Sequence, residues 1–171
     1  MNLHEGIGVA IDYERKVRDH YANGAKVIED QDGREMFALL AREEQAHVDH
    51  LARALASLKR DGRIPRVPLK SAMPQGVAWL EEARKKVEAR PDRRVATANE
   101  LELAQIALQL EKETTSFYRE LVAGLPAEDR GVFEVFIEIE EGHELLVQAL
   151  IDSLTGVGFW FDTMELKLEN G

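Results

Sequence analysis

Two Glu-x-x-His steps, one in each half of the chain, constrain the possible fold more than any other feature of the sequence. The first runs from Glu44 to His47 and the second from Glu140 to His143. Residues three apart share one face of an α-helix, so each step directs a carboxylate and an imidazole to the same side. A chain this rich in Glu contains about one such tetrapeptide by chance, so the meaning of each step depends on its context.

The apolar residues around the two steps repeat as well. They stand at the same offsets in both copies: Phe37, Leu40, Leu51 and Leu58 in the first, and Phe133, Phe136, Val147 and Leu154 in the second. This spacing is typical of the stripe of a helix that faces a core. Both steps therefore place an ionisable pair where an apolar contact is expected.

A single carboxylate interrupts the apolar stripe of the preceding helix in each half. These residues are Glu14 and Glu111, and a tyrosine follows each at the same distance, Tyr21 and Tyr118. In each half this Glu lies about as far before the turn as the Glu-x-x-His step lies after it. Folding each helical hairpin should bring its two Glu residues and its His to one level. Packing the hairpins together then collects four carboxylates and two imidazoles in the core.

The alternative for any one of these residues is a helix-edge position whose polar group reaches water. Six of them at one depth favour a different interpretation, because buried carboxylates without a partner cost several kcal/mol each. Two divalent metal ions would compensate four carboxylates, and this ligand set is the one found in di-iron carboxylate bundles. Oxygen and imidazole ligands suit iron or manganese, and zinc could also enter. The residues alone therefore predict a site for two metal ions, with iron and manganese both open.

The helical patterns predict an all-α, single-domain chain over residues 1–171. Its parts are a hairpin at 3–60, a crossover at 61–96 with a short helix at 75–89, a second hairpin at 97–155 and a C-terminal tail at 156–171. The expected long helices run over 3–29, 34–59, 97–124 and 127–154. A crossover of this length can return along the whole bundle. We therefore expect the turns at 30–33 and 125–126 at opposite ends, with the first and third helices antiparallel.

Composition excludes several classes of function. The formal net charge of -10 argues against nucleic acid and anionic membranes as partners. The chain has no cysteine, which excludes disulfides and thiolate-ligated metal. No secretion signal and no apolar stretch of membrane-spanning length occur in the sequence. These features predict a cytoplasmic protein.

The sequence resembles the rubrerythrin-like proteins of the ferritin-like di-iron superfamily. The resemblance is carried by the two Glu-x-x-His steps and by the stretch 107–111, Ala-Leu-Gln-Leu-Glu, which leads to Phe117-Tyr118. It covers both hairpins and implies a ferritin-like four-helix bundle built from two repeated helical hairpins, with the long crossover between helices two and three.

The resemblance also implies roles for the candidate site residues. Glu44 and Glu140 would bridge the two metals. Glu14 with His47 would complete one iron site, and Glu111 with His143 would complete the other. Tyr21 and Tyr118 would donate hydrogen bonds to ligand carboxylates, although either could also be an ordinary core aromatic.

Three departures from the family pattern limit what can be carried over. Full rubrerythrins have a cysteine-ligated rubredoxin domain, which this chain lacks, so electrons would come from a separate donor protein. Rubrerythrins have a further Glu three residues after the third-helix ligand, where this chain has Thr114. Bacterioferritin places its haem methionine within the first Glu-x-x-His step, where this chain has Gln45 and Ala46, so we do not expect haem.

The resemblance implies an oxidoreductase whose diferrous centre reduces hydrogen peroxide or dioxygen with electrons from that donor. Two alternatives remain open: ferritin-like iron oxidation with storage or transfer, and a structural bundle that its metals hold together. We expect a homo-oligomer and favour a dimer, because a cage would instead indicate storage.

Overall fold

The computed structural model describes residues 1–64, 68–69 and 97–155. Within these ranges the chain forms helices and no strand. The helices are α1 (Leu3–Val27), α2 (Gln31–Asp61), α3 (Ala98–Gly124), the short α4 (Ala127–Arg130) and α5 (Glu134–Thr155). The predicted all-α fold is confirmed. The expected helix at 75–89 and the tail at 156–171 lie outside the described residues. Of the described helices, none is long and apolar enough to cross a membrane.

The turn between α1 and α2 is shorter than the sequence suggested. The predicted turn at 30–33 is in fact the beginning of α2, because the side chain of Asp30 accepts a hydrogen bond from the backbone N–H of Gly33 at 2.9 Å. Such an N-cap satisfies a backbone donor that the first turn of a helix leaves free. At the far end α2 continues to Asp61 and stops at Gly62, whose φ of 68° is the left-handed conformation that favours glycine.

The predicted continuous helix at 127–154 is interrupted near its start. The short α4 ends at Arg130 and α5 begins at Glu134. Between them the backbone N–H of Phe133 donates to the carbonyl of Arg130 at 2.8 Å, a bond to the third preceding residue instead of the fourth. This tighter turn accompanies the complete burial of Phe133 in the core.

The two hairpins pack with α1 antiparallel to α3, as predicted. At one end the carboxylate of Glu100, in the first turn of α3, accepts hydrogen bonds from the backbone N–H groups of Glu29 and Asp30, both at 3.0 Å. At the other end Gly6 of α1 packs against the side chain of Leu121, near the end of α3. The turns of the two hairpins therefore lie at opposite ends of the bundle.

The apolar core is divided into two clusters. One lies towards the α1–α2 turn and contains Val17, Tyr21, Ile28, Phe37, Leu40, Ala104, Ala107, Leu110, Leu146, Val147 and Ile151. The other lies towards the opposite end and contains Ile7, Ala10, Ile11, Val48, Leu51, Tyr118, Leu121, Leu125, Phe133 and Phe136. The residues between the two clusters, at mid-height in the bundle, are polar.

Two glycines of α1 provide a matched test of this packing. A Cβ atom on Gly24 would lie 2.5 Å from Cδ1 of Phe37, whereas one on Gly8 would meet nothing within 4 Å. We expect Gly24→Ala to lower the free energy of unfolding by about 1–3 kcal/mol through overpacking. Gly8→Ala should raise it by up to about 1 kcal/mol, because alanine favours a helix interior. Urea unfolding followed by circular dichroism measures both, and equal effects would contradict this packing.

Candidate metal centre

The six predicted site residues come together at the polar middle of the bundle. Each long helix contributes to the group: Glu14 from α1, Glu44 and His47 from α2, Glu111 from α3, and Glu140 and His143 from α5. All six are completely shielded from solvent. The matched spacing in the two halves thus produces a common depth in the folded chain.

Local helix periodicity explains why these polar side chains point inwards. Glu14 lies between Ala10 and Val17 on α1, and both of these neighbours are buried. Glu111 follows the buried Ala107 of α3 by one helical turn. Residues three and four apart share one face of a helix, so the apolar neighbours that enter the core direct the carboxylates there as well.

The imidazole of His47 lies among three carboxylates. Its Nδ1 is 3.2 Å from an oxygen of each of three residues, and these are Glu14, Glu44 and Glu140. The nitrogen therefore faces acidic groups from three different helices, α1, α2 and α5.

The imidazole of His143 has a matching environment. Its Nδ1 is 2.8 Å from Glu44, 3.4 Å from Glu140 and 3.8 Å from Glu111. The rings of His47 and His143 stack with their centroids 5.6 Å apart and their planes 11° from parallel. Glu44 and Glu140 thus approach both imidazoles, whereas Glu14 and Glu111 each approach one.

These contacts form two overlapping groups that could each hold a metal ion. Glu44 and Glu140 belong to both groups; Glu14 and His47 complete one, and Glu111 and His143 complete the other. Within each group the candidate ligand atoms all lie within 4.8 Å of one another. The division is the same as the one that the resemblance implies, and the role of these residues as ligands stays a prediction.

Unpartnered polar atoms make a bound cation a good fit to this site. Among the described residues, seven buried side-chain atoms make no hydrogen bond of normal geometry: Glu44 Oε1, His47 Nε2, Glu111 Oε2, both carboxylate oxygens of Glu140, and both ring nitrogens of His143. The atoms of Glu44, Glu140 and His143 Nδ1 in this set do lie at ion-pair distance from an imidazole or a carboxylate. Buried polar groups are nearly always paired in proteins, so a concentration of such atoms needs an explanation. Two divalent cations bound to oxygen and imidazole ligands would provide it.

The two tyrosines connect the hairpins. The hydroxyl of Tyr21 on α1 donates to the Glu111 carboxylate on α3, and the hydroxyl of Tyr118 on α3 donates to the Glu14 carboxylate on α1. Each tyrosine therefore bonds the carboxylate of the other hairpin. The antiparallel packing of α1 and α3 is the reason, since it brings a tyrosine two turns after its own Glu level with the Glu of the neighbouring helix.

The two outer carboxylates, Glu14 and Glu111, both have raised pKa values. Burial raises the pKa of Glu14 well above its usual range, and the charges of Glu140 and Glu44 raise it further. Burial likewise raises the pKa of Glu111, and the charge of Glu44 adds to this effect. Each carboxyl group therefore retains its proton to a higher pH than an exposed glutamate would.

The inner groups form charge pairs. Burial opposes charge on His47 and His143, but the neighbouring carboxylates outweigh it and raise the pKa of both imidazoles well above the ordinary value. Burial also opposes charge on Glu44, but the two imidazoles outweigh it and lower its pKa. The neighbouring imidazoles also lower the pKa of Glu140, against burial and the charge of Glu44. Without metal, these directions favour positive charge on His47 and His143, negative charge on Glu44 and Glu140, and retained protons on Glu14 and Glu111.

These pKa shifts predict how the stability of the metal-free protein depends on pH. His47, His143, Glu14 and Glu111 all have raised pKa values, so the folded state binds their protons more tightly than the unfolded chain does. The resulting stability is lost as the pH rises through the folded-state pKa values. We expect the free energy of unfolding to fall as the pH rises above 6.5, the ordinary pKa of histidine.

The slope should approach about 1.4 kcal/mol per pH unit for each proton that only the folded state retains. Denaturant unfolding over a series of pH values measures it. The same series with Zn²⁺ bound is the control, because the metal should replace those protons and flatten or reverse the slope. A constant or rising stability of the metal-free protein above pH 6.5 would contradict the assignment of charges.

Two neighbouring residues extend the description of the site. The hydroxyl of Thr114, which stands where rubrerythrins have a further Glu, donates to the carbonyl of Leu110 in its own helix at 3.0 Å.

Glu43 was missed by the sequence analysis. It is buried and could form a group with His47 and His143. The i, i+4 spacing of Glu43 and His47 was the available signal, but the repeat hid it because the second hairpin has Ile139 at the equivalent position.

The fold and the site together define an all-helical, ferritin-like bundle with a buried cluster of carboxylates and imidazoles. The family model of rubrerythrin matches residues 5–151, which include both hairpins and all six candidate ligands. The chain belongs to the rubrerythrin family. Comparisons with curated proteins and with solved structures returned no match.

Proposed function

We propose that this chain is a di-iron carboxylate oxidoreductase that reduces hydrogen peroxide or dioxygen with electrons from a separate donor protein. The observation that carries the proposal is the pair of overlapping ligand groups that share Glu44 and Glu140. When bound, the two ferrous ions supply the two electrons that convert one hydrogen peroxide and two protons into two water molecules. Family membership supports iron as the metal.

The proposed ligand roles follow the division of the two groups. Glu14 and His47 would hold one iron, and Glu111 and His143 would hold the other. Glu44 and Glu140 would contact both, since each lies within reach of both imidazoles. A site built from carboxylates and imidazoles leaves metal positions available to an oxidant when the protein supplies few ligands per ion.

The surrounding residues would exclude water from this site and fix the orientation of its outer carboxylates. The two apolar clusters enclose it from both ends of the bundle. The crossed bonds from Tyr21 to Glu111 and from Tyr118 to Glu14 would fix the orientation of the outer carboxylates. Burial and the neighbouring carboxylates raise the pKa of both tyrosines well above 10, so the hydroxyl protons remain available for these bonds.

A separate electron donor is part of the proposal; the 171 residues contain no cysteine that could ligate a second, electron-donating iron centre beside the di-iron site. A cytoplasmic location and a homodimeric assembly also belong to it. The second candidate function is iron oxidation linked to storage or transfer. Thr114 favours it, since its hydroxyl bonds its own helix and leaves a six-ligand set like that of bacterioferritin. A cage in size-exclusion chromatography would support storage, and a dimer would support the oxidoreductase.

The proposed ligand set predicts the metal stoichiometry. Anaerobic titration of the metal-free protein should saturate at two Fe²⁺ per chain. His47→Ala and His143→Ala should each weaken mainly one of the two ions, because each imidazole approaches only one of the outer carboxylates. Binding should weaken at low pH, since the ligands must lose their protons. Isothermal titration calorimetry in an anaerobic cell gives the stoichiometry and both affinities.

His50→Ala is the matched control. His50 lies one turn after His47 on α2 and is half-buried. Its ring packs against Phe136, with the two ring centroids 6.0 Å apart. This variant should retain two Fe²⁺ ions. Saturation of the wild-type protein at one ion, or at none, would contradict the di-iron assignment and with it both candidate functions.

A stopped-flow experiment chooses between the oxidants. Hydrogen peroxide takes up both electrons of a diferrous pair in one encounter, whereas dioxygen that takes the same two electrons leaves peroxide as a product. We therefore expect stoichiometric hydrogen peroxide to oxidise the diferrous protein well before air-saturated buffer does. Absorbance of the diferric product gives both rates. Equal rates, or a faster reaction with dioxygen, would favour an oxidase or the iron-handling function instead.

A further inference from the structure

One buried carboxylate near the metal centre lies outside the six-residue ligand set. Glu43 on α2 is only 1% exposed. It precedes His47 by four residues, so the two side chains share a face of the helix. One of its oxygens lies within 4.8 Å of a ring nitrogen of His47 and of a ring nitrogen of His143. Glu43 is thus close to both imidazoles of the site.

The orientation of the two imidazoles indicates which of their nitrogens Glu43 could contact. The Nδ1 atoms of His47 and His143 face the carboxylates that form the proposed metal ligands. A metal bound at Nδ1 leaves the neutral ring with its proton on Nε2. Within the described part of the chain, neither Nε2 has a hydrogen-bond partner, although both are buried. Metal-binding histidines nearly always donate this second N–H to an acceptor.

We propose that Glu43 is the shared acceptor for the Nε2–H groups of His47 and His143 when the metal centre is filled. The carboxylate has two oxygens, one for each imidazole. Its last torsion is broad, so the oxygens can turn from the present separation to an ordinary hydrogen-bond distance. The second hairpin provides no equivalent group, because Ile139 occupies the corresponding position of α5. One residue of the first hairpin therefore positions both imidazoles.

This inference rests on the metal centre proposed above, and its test uses Zn²⁺ as a diamagnetic probe. The two measurements are the Zn²⁺ affinity, from calorimetry with a competing chelator, and the ¹H–¹⁵N spectrum of the histidine side chains in the loaded protein. We expect two low-field Nε2–H signals in the wild-type protein. Glu43→Ala should move both signals upfield and weaken Zn²⁺ binding by about 10–100-fold, the usual effect of removing such a partner.

Three further variants separate positioning from simple loss of structure. Glu43→Asp keeps the charge and should restore part of the low-field shift. Glu43→Gln keeps the size, loses the charge, and should give a smaller displacement of both signals, which provides the readout if Glu43→Ala does not fold. Glu35→Ala removes an exposed carboxylate from the same helix and should leave the signals and the affinity unchanged.

The outcomes distinguish this inference from the proposed function. If the wild-type protein binds no Zn²⁺, both are wrong. If it binds two Zn²⁺ ions but neither Glu43→Ala nor Glu43→Gln moves an Nε2–H signal, the metal centre stands and the role of Glu43 is overturned. Movement of only one Nε2–H signal would overturn the proposal that Glu43 serves both imidazoles. An equal loss of Zn²⁺ affinity in Glu35→Ala would show that the loss in Glu43→Ala comes from the change in net charge, which would also overturn the proposal.

Discussion

The cost of burying four carboxylates at one level of a helical bundle governs the rest of this structure. A buried charge is tolerated only when an opposite charge and hydrogen bonds surround it. Here each of the four lies beside an imidazole, and the outer two also accept a tyrosine hydroxyl. The bundle therefore divides its apolar core in two and places between the halves a group in which imidazoles lie beside carboxylates. Two divalent cations would balance the four carboxylate charges of this group.

This arrangement couples metal binding to the folding of the bundle. Four of the side chains that would bind iron have raised pKa values and so hold their protons more tightly than exposed groups do. Metal uptake would therefore exchange protons for metal ions. Because the candidate ligands come from all four long helices, they come together only when both hairpins are packed against each other. The free energy of metal binding would then add to the free energy of folding.

The sequence predicted the parts of the structure that depend on helical periodicity. The two hairpins and the common depth of the six polar residues followed from spacing within the repeat. The antiparallel packing of the first and third helices followed from the length of the crossover together with that common depth. Details set by a single side chain did not follow. The cap at Asp30 moved the start of α2, and the burial of Phe133 accompanied the interruption before α5. Glu43 escaped notice because a repeat reveals what two halves share, and this residue is where they differ.

The hydrogen bonds from Tyr21 to Glu111 and from Tyr118 to Glu14 limit which substitutions the contact between α1 and α3 can accept. Both bonds form in only one alignment of α1 with α3. Sliding one helix by a single turn, about 5.4 Å, would break both bonds at once and leave the two buried tyrosine hydroxyls without acceptors. Substitutions that move α1 relative to α3 by small steps are therefore disfavoured. Accepted substitutions should concentrate on the outward faces of the bundle, away from the contact between these two helices.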